Sequence, residues 1–193
     1  MVQLDIYGHT LRFETHPALF SPTAPDRGTM AMLSVAKIAP GDRVLDMGCG
    51  WGLVAVAAAK IAGAQNVVAL DVDARAVEVT RENARRNGVG ELRALQRDGF
   101  CGFDGHEFHW ILCNPPYNSN FSVAKHFIEK GFNRLAMNGT MLMVVKRRDW
   151  YRNRLCAVFG GVTAHQIDGY FVFEAQRRSA RYAGRVGRRS EPN

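Results

Sequence analysis

The residues with the clearest chemical pattern in this chain are Asn114, Pro115, Pro116 and Tyr117, which follow the apolar run HWILC. The two prolines fix φ and lack N–H groups, so they stiffen the loop and leave its carbonyls available to a ligand. An exocyclic amine on a planar ring is a weak nucleophile. The Asn114 side-chain oxygen and the Pro115 carbonyl could accept its two N–H bonds and orient its lone pair, while Tyr117 stacks on the ring. The same four residues are also compatible with a plain turn after a buried strand.

A glycine-rich loop forms a second pattern, in the segment RVLDMGCGWG at residues 43–52. Gly48, Gly50 and Gly52 lie between a hydrophobic strand and a helix-like segment, where glycines permit a tight turn and a close approach of ligand to the helix N-terminus. Their alternate spacing departs from the G-x-G-x-x-G pattern of dinucleotide-binding loops, although a glycine loop alone does not identify its ligand. Asp71 ends the next strand, about twenty residues on, where an acidic side chain can reach ribose hydroxyls.

Asp98 is a third acidic residue of interest, because it directly follows another predicted strand in the segment QRDGF. Aspartate also favours turns and helix N-caps, so Asp71 and Asp98 each have a purely structural interpretation. The three patterns together are much more specific than any one of them.

The composition predicts a single folded domain: the chain has 193 residues, of which 47% are hydrophobic. It lacks an apolar run of about 18 residues and a secretory pattern at its N-terminus, so we expect a cytoplasmic protein without a membrane segment. Four cysteines occur far apart with no C-x-x-C pair, which favours reduced thiols. The close pair His106 and His109 lacks the cysteine spacing of a zinc site, and we expect no metal.

The net charge of +7 is concentrated in two segments. Residues 177–193 contain six arginines and one glutamate, and the glycines, serine and proline there predict a disordered tail. Lys146, Arg147 and Arg148 follow a hydrophobic strand and are expected near the ligand-binding edge of the sheet. Basic clusters of this kind favour nucleic acid as a partner, although a solvated tail that only maintains solubility is the simpler alternative.

These residues are positioned by an alternation of strands and helices, which predicts a mostly parallel sheet covered on both faces. An N-terminal hairpin is expected around Gly8 and His9. Ligands of such sheets bind beyond the carboxyl ends of the strands, where the glycine loop and residues 114–117 would meet. The last two strands are joined too tightly for a parallel crossover, so one must run antiparallel. The predicted helices cover residues 30–38, 52–61, 74–86, 121–136 and 149–158, and the strands that follow the hairpin cover 43–48, 66–71, 92–96, 109–113, 139–146, 162–168 and 170–176.

The motifs resemble those of class I S-adenosylmethionine (SAM) dependent methyltransferases, through D-x-G-C-G-x-G at Asp46 and the Asn-Pro-Pro-Tyr loop. The N-terminal segment, with Phe20-Ser21 and the run from Asp26 to Thr29, resembles the small methyltransferase domain shared by ribosomal RNA guanine-N2 methyltransferases. The resemblance implies a seven-stranded, mostly parallel Rossmann-like sheet with its last strand antiparallel. It also implies one domain over residues 1–176, in which residues 1–30 form the hairpin and a cofactor-covering segment. Bacterial members usually carry a second, degenerate copy, so this chain is closer to short single-domain members.

The resemblance implies SAM as cofactor and methyl transfer to an exocyclic amine of an RNA base, with guanine N2 of rRNA as the expected acceptor. In it Asp71 contacts the ribose and Asp98 the adenine amine. The residues expected to bind the cofactor are Thr29, Asp46, Gly48, Cys49, Gly50, Gly52, Asp71, Val72, Asp98, Gly99, Phe100 and Asn114. Those expected in catalysis are Asn114, Pro115, Pro116 and Tyr117. Those expected to contact the substrate are Phe20, Tyr117, Lys146, Arg147 and Arg148.

Three alternatives remain at the level of sequence. The same tetrad serves enzymes that methylate adenine N6 in RNA or DNA and enzymes that methylate a glutamine amide of a protein. A glutamine amide would not require the basic cluster, which favours RNA. A non-catalytic RNA-binding assembly factor with the same fold is the third alternative, and the intact tetrad and glycine loop argue against it.

Overall fold

The computed structural model describes residues 1–115 and 121–185. Within these ranges the chain alternates strands and helices after an N-terminal hairpin. The strands are β1 (Val2–Ile6), β2 (His9–Phe13), β3 (Val44–Met47), β4 (Val67–Asp71), β5 (Arg93–Gln96), β6 (Phe108–Cys113), β7 (Leu135–Val145), β8 (Thr163–Ile167) and β9 (Tyr170–Gln176). The helices are α1 (Arg27–Val35), α2 (Leu53–Ala62), α3 (Ala74–Arg86), α4 (Phe121–Arg134) and α5 (Asp149–Phe159).

Seven strands form one sheet in the order β5-β4-β3-β6-β7-β9-β8. β9 runs antiparallel to both of its neighbours, and the other pairings are parallel. Asp168 and Gly169 both have positive φ, and this two-residue turn between β8 and β9 forces the reversal. The predicted seven-stranded sheet with an antiparallel last strand and a separate hairpin is confirmed.

The strands are apolar on both faces because helices cover both faces. One core cluster joins the sheet to α1, α2, α3 and the hairpin, and the other joins it to α4 and α5. Along β3, Val44 belongs to the first cluster while Leu45 and Met47 belong to the second, as the alternation of side chains along a strand requires. The central strands are thereby buried on both faces, so a ligand site is expected at the carboxyl ends of the strands.

The hairpin is held against the domain by two asparagines of α3. The Asn83 side chain exchanges two hydrogen bonds with the backbone of Glu14, both 2.8 Å, and also donates to the carbonyl of Trp51. Asn87 makes the equivalent pair with the backbone of Arg12. The glycine loop and the hairpin are thus tied to the same helix. The hairpin turn lies at Tyr7 and Gly8, both at positive φ, and not at Gly8 and His9 as expected.

Two other predicted boundaries were wrong. Helix α1 begins at Arg27 and not at Met30, because Asp26 is its N-cap and its side chain accepts a hydrogen bond from the Thr29 N–H at 2.8 Å. Strand β7 begins at Leu135, where a helix was expected to continue, and its pairing with β6 shifts register before Thr140. Asn138 at φ +66 produces the irregularity.

The predicted disordered tail is corrected for its first part. The Arg177 backbone hydrogen-bonds Asn138 and Gly139, and its guanidinium donates to the Leu135 carbonyl. Tyr182 donates its hydroxyl to the Glu129 carbonyl at 2.6 Å, and its ring packs against the core. An aromatic anchor in an arginine-rich segment therefore makes this part pack. Residues 186–193 lie outside the described residues. No helix in the described ranges is long and apolar enough to cross a membrane.

Candidate active site

A cavity of about 430 Å³ opens at the carboxyl ends of β3, β4, β5 and β6. The N-terminal segment before α1 closes one side, and α4 contributes Val123 and Phe127 on another. Three sequence patterns from distant parts of the chain converge there. The sequence-predicted residues that line this cavity are Phe20, Thr29, Asp46, Gly48, Cys49, Gly50, Asp71, Val72, Asp98, Gly99, Asn114 and Pro115. The roles that the sequence analysis gives these residues, in binding cofactor or substrate and in catalysis, stay predictions.

The glycine loop is shaped by backbone conformations that favour glycine. Gly48 and Gly50 have φ of +79 and +55, a region that side chains with a Cβ rarely adopt. Among the described residues, nothing beyond the chain neighbours lies within 4 Å of where a Cβ would stand at either position. The loop therefore leaves open space directly over its backbone. The N–H groups of Gly48 and Cys49 are both committed to the Leu70 carbonyl, at 2.8 and 3.0 Å.

Asp71 links this loop to the following strand. One carboxylate oxygen accepts the Gly50 N–H at 2.9 Å, and the other accepts the Asp73 N–H at 3.0 Å. A carboxylate has about four acceptor sites, so hydroxyl groups of a ligand can still bind. Asp71 thus orders the loop and also presents negative charge to the cavity.

Asp46 is a buried acid beneath the loop, with 3% of its surface exposed. One oxygen accepts the Ala55 N–H at 3.1 Å in the first turn of α2. Burial raises the pKa of Asp46 to about 8, with a smaller contribution from the charge of Asp71. Burial and the neighbouring Asp46 also raise the pKa of the Cys49 thiol. The Thr80 hydroxyl lies 3.3 Å from this sulfur.

The raised pKa predicts a pH-dependent stability that is specific to Asp46. Between pH 3.8 and about 8 the folded protein retains a proton that the unfolded chain releases. The free energy of unfolding should therefore fall as pH rises, by up to about 1.4 kcal/mol per pH unit, and level off outside that window. Asp46→Asn should remove this slope, as measured by urea unfolding at pH 5, 6 and 7. Asp42→Asn, outside the cavity, is the control. Parallel slopes for the wild type and Asp46→Asn would contradict the prediction.

Two residues expected to bind the cofactor lie outside the cavity lining. Gly52 has φ +87, and a Cβ there would stand 3.0 Å from the Thr80 side chain, so this glycine permits close packing of the loop on α3. Phe100 is buried in the core beside Phe127. Val72, in contrast, is 65% exposed at the rim of the cavity.

Asn114 has an asymmetric hydrogen-bond environment. Its Nδ2 donates to Asp26 Oδ2 and to Thr29 Oγ1, both at 2.9 Å. Its Oδ1 is buried and has no hydrogen-bond partner among the described residues. A buried acceptor without a partner costs about 1–3 kcal/mol, so it is expected to meet a donor from a ligand. Pro115 is buried beside it. Pro116 and Tyr117 lie outside the described residues.

The basic cluster lies at the same edge of the sheet but not in the cavity lining. Lys146, Arg147 and Arg148 follow β7 and are exposed. Each charge lies over an aromatic ring, at 5.3 Å from Tyr170, 5.8 Å from Phe121 and 6.0 Å from Phe171, respectively. Of the residues expected to touch substrate, Phe20 lines the cavity and is 53% exposed.

Arg97 and Asp26 are polar residues of the cavity to which the sequence patterns gave no role. Arg97 lines it, and its Nε is buried with no partner among the described residues. Asp26 lines it and holds Asn114. Asp26 belonged to the D-x-G-T pattern that carried the family resemblance. The spacing from Asp26 to Thr29, which is typical of a helix N-cap, is the sequence signal that could have placed Asp26 at the start of α1. The described residues contain no group of three or more histidines, cysteines or acids suited to a metal ion.

The sheet with its reversed β9, the glycine loop and the acids at adjacent strand ends define the fold of class I SAM-dependent methyltransferases. The chain belongs to the methyltransferase small domain family, whose model matches residues 10–174. The identification made from the sequence is confirmed at this level.

Several curated proteins and solved structures are similar to this chain. Ribosomal RNA small subunit methyltransferase C of Chromohalobacter salexigens is 36% identical over 175 residues, which cover 86% of this chain and 51% of that protein. Ribosomal RNA large subunit methyltransferase G of Vibrio atlanticus is 24% identical over 94% of this chain and 50% of that protein. The chain thus spans about half the length of these relatives. A Thermus thermophilus 16S rRNA N2 methyltransferase, solved with AdoMet and guanosine, has a TM-score of 0.82 at 24% identity over 92% of this chain and 50% of that one, which shows the shared fold.

Proposed function

We propose that this protein is a SAM-dependent N-methyltransferase that acts on RNA, with guanine N2 of rRNA as its acceptor. The observation that carries the proposal is the buried Asn114 Oδ1, which has no partner among the described residues, on a residue that lines the same cavity as the glycine loop. The names of the relatives support RNA as substrate, because they are ribosomal RNA methyltransferases of both subunits.

The cavity fits SAM by the chemistry of its lining. The open space over Gly48 and Gly50 admits a ligand, and the Asp71 carboxylate is placed to accept ribose hydroxyls. Asp98 lies at the end of the next strand, where it would accept the adenine amine. Asp46 lines the same cavity beneath the glycine loop and is placed to hydrogen-bond the cofactor. Bound SAM supplies an electrophilic methyl group.

The chain's own task is to hold the acceptor amine. Asn114 Oδ1 and the Pro115 carbonyl accept its two N–H bonds, which directs the nitrogen lone pair toward the cofactor cavity. No strong general base is required, because the amine becomes acidic only as it gains positive charge. The target base must leave its stack to reach the site. The unpaired acceptor supports a role for Asn114 in holding an amine, and its place beside the cofactor cavity favours methyl transfer over binding alone.

The direct test is methyl transfer followed by nucleoside analysis. Purified protein is incubated with labelled SAM and with rRNA from a strain of the source organism that lacks the gene for this protein. We expect label in rRNA and N2-methylguanosine by mass spectrometry. If the product is N6-methyladenosine, the acceptor is adenine and not guanine. If the label appears on a protein glutamine, the substrate is protein and not RNA. No transfer to any of these would refute the proposed activity.

The basic cluster gives a prediction about RNA affinity. The triple variant Lys146→Ala, Arg147→Ala and Arg148→Ala should bind RNA more weakly, because the cations neutralise phosphates next to the cavity. Each lost contact should flatten the slope of log affinity against log salt by about 0.7–0.9. Fluorescence anisotropy with rRNA fragments across a salt series measures both quantities.

A matched control removes the same charge from the opposite end of the sheet. Lys37, Arg85 and Arg93 are exposed near the amino ends of the strands, and their alanine variants should change the slope less. If both triple variants lower the slope equally, the cluster has no special role in substrate binding.

The arginines of the tail can be tested separately. Removing residues 186–193 deletes Arg188 and Arg189 without touching the packed residues before them.

A further inference from the structure

We propose that Asp26 is a positioning residue that sets the orientation of the Asn114 amide and thereby selects substrates that present an amine. The inference rests on the proposed function and extends it to the recognition of the acceptor group. Asp26 and Asn114 are 88 positions apart in the chain and meet at the edge of the cavity.

The geometry fixes which end of the Asn114 amide is held by the protein and which end is left without a partner in the part of the chain that the structure describes. Asp26 Oδ2 accepts from Asn114 Nδ2 at 2.9 Å and from the Thr29 N–H at 2.8 Å. An ionised carboxylate only accepts hydrogen bonds, so it binds the NH₂ end of the amide and repels the oxygen end. Asn114 Oδ1 is then left on the other side, buried and without a partner among the described residues.

Thr29 favours the same orientation of the Asn114 amide. Its hydroxyl lies 3.4 Å from Asp26 Oδ2 and accepts from Asn114 Nδ2 at 2.9 Å. The hydroxyl hydrogen is directed to the carboxylate, so the oxygen offers its lone pair to Asn114. Both hydrogens of the amide are thus engaged by acceptors that cannot readily become donors.

Packing holds the carboxylate in this place. Asp26 caps α1, and a Cβ at Gly28 would lie 2.8 Å from the Tyr170 ring and 2.9 Å from Asp26 Oδ2. Glycine at this position lets the first turn of α1 lie against Tyr170, which positions the cap and the carboxylate together.

The consequence is selectivity for a donor group. A fixed Oδ1 favours an NH₂ group on the substrate and disfavours a carbonyl oxygen at the same point. A flipped amide would present two N–H donors and reverse this preference. Asp26 therefore influences which edge of a base enters the site without touching the substrate itself.

Asp26→Ser is the decisive variant, because serine caps a helix about as well as aspartate but removes the carboxylate that accepts from Asn114 Nδ2. With the serine hydroxyl on the Thr29 N–H, the Thr29 hydroxyl is no longer directed to a carboxylate and can donate to a flipped Asn114 amide. We expect turnover to fall about tenfold, with SAM affinity and melting temperature nearly unchanged. Asp42→Ser is the matched control, since Asp42 also accepts from a backbone N–H and a side-chain N–H but lies outside the cavity lining. It should keep full turnover.

Two further measurements separate positioning from a structural role. In the Asn114→Ala background, Asp26→Ser should cause no further loss, because the amide that Asp26 orients is absent. Binding of guanosine should exceed binding of inosine, which lacks the 2-amino group, in the wild type but not in Asp26→Ser. Unchanged turnover, additive losses or a retained guanosine preference would overturn the inference. A wild type inactive on RNA would refute the proposed function, while the nucleoside comparison would still decide the role of Asp26.

Discussion

Asn114→Ala is expected to lower turnover by about two orders of magnitude or more while affinity for SAM stays nearly intact. The side chain contributes the buried acceptor Oδ1, which is satisfied when an amine is held for reaction. Its removal therefore acts mainly on the transition state. Single-turnover methylation of rRNA measures the first quantity, and calorimetric titration with SAM measures the second.

Asn133→Ala is the control for the Asn114 variant, because Asn133 is an exposed asparagine that hydrogen-bonds Glu129 and Tyr182 away from the cavity. It should retain wild-type turnover. Parallel losses of SAM affinity and turnover in Asn114→Ala would indicate that Asn114 mainly supports the structure of the loop.

Asp71→Ala is expected to weaken SAM binding by about 1.5–3 kcal/mol, or roughly tenfold to 150-fold. The structure gives two reasons for this loss. The variant removes a charged acceptor from the cavity, and it also releases the Gly50 N–H that the carboxylate holds at 2.9 Å. Isothermal titration calorimetry with SAM measures the change.

Asp71→Asn separates those two contributions. Its amide oxygen can still accept the Gly50 N–H, so the loop stays ordered, while the charge and the hydrogen bond from the Asp73 N–H are lost, and an intermediate affinity is expected. Asp5→Ala removes an exposed carboxylate of the hairpin that accepts only the Thr10 hydroxyl among the hydrogen bonds described, and should bind SAM normally. Wild-type affinity in Asp71→Ala would mean that this acid is a turn residue with no part in binding.

The sequence by itself determined the sheet and the general place of the site. Alternating apolar runs and turn glycines specify strands and helices locally, and the short turn at Asp168 and Gly169 requires an antiparallel last strand. Because parallel strands share one carboxyl edge, residues at the ends of four strands had to converge there. The sequence alone therefore places the glycine loop and Asp71 together.

Tertiary structure decided the details that depend on contacts between distant residues. The Asn114 oxygen is left without a partner among the described residues because Asp26 and Thr29, 88 and 85 positions earlier, engage the nitrogen of its amide. Gly52 faces α3 because the loop must pack on Thr80, which its spacing alone does not show. Arg177 and Tyr182 pack on α4 and β7, although their composition predicts disorder. Periodicity records which face of an element is buried, while the partner of a polar side chain is set by how the elements pack.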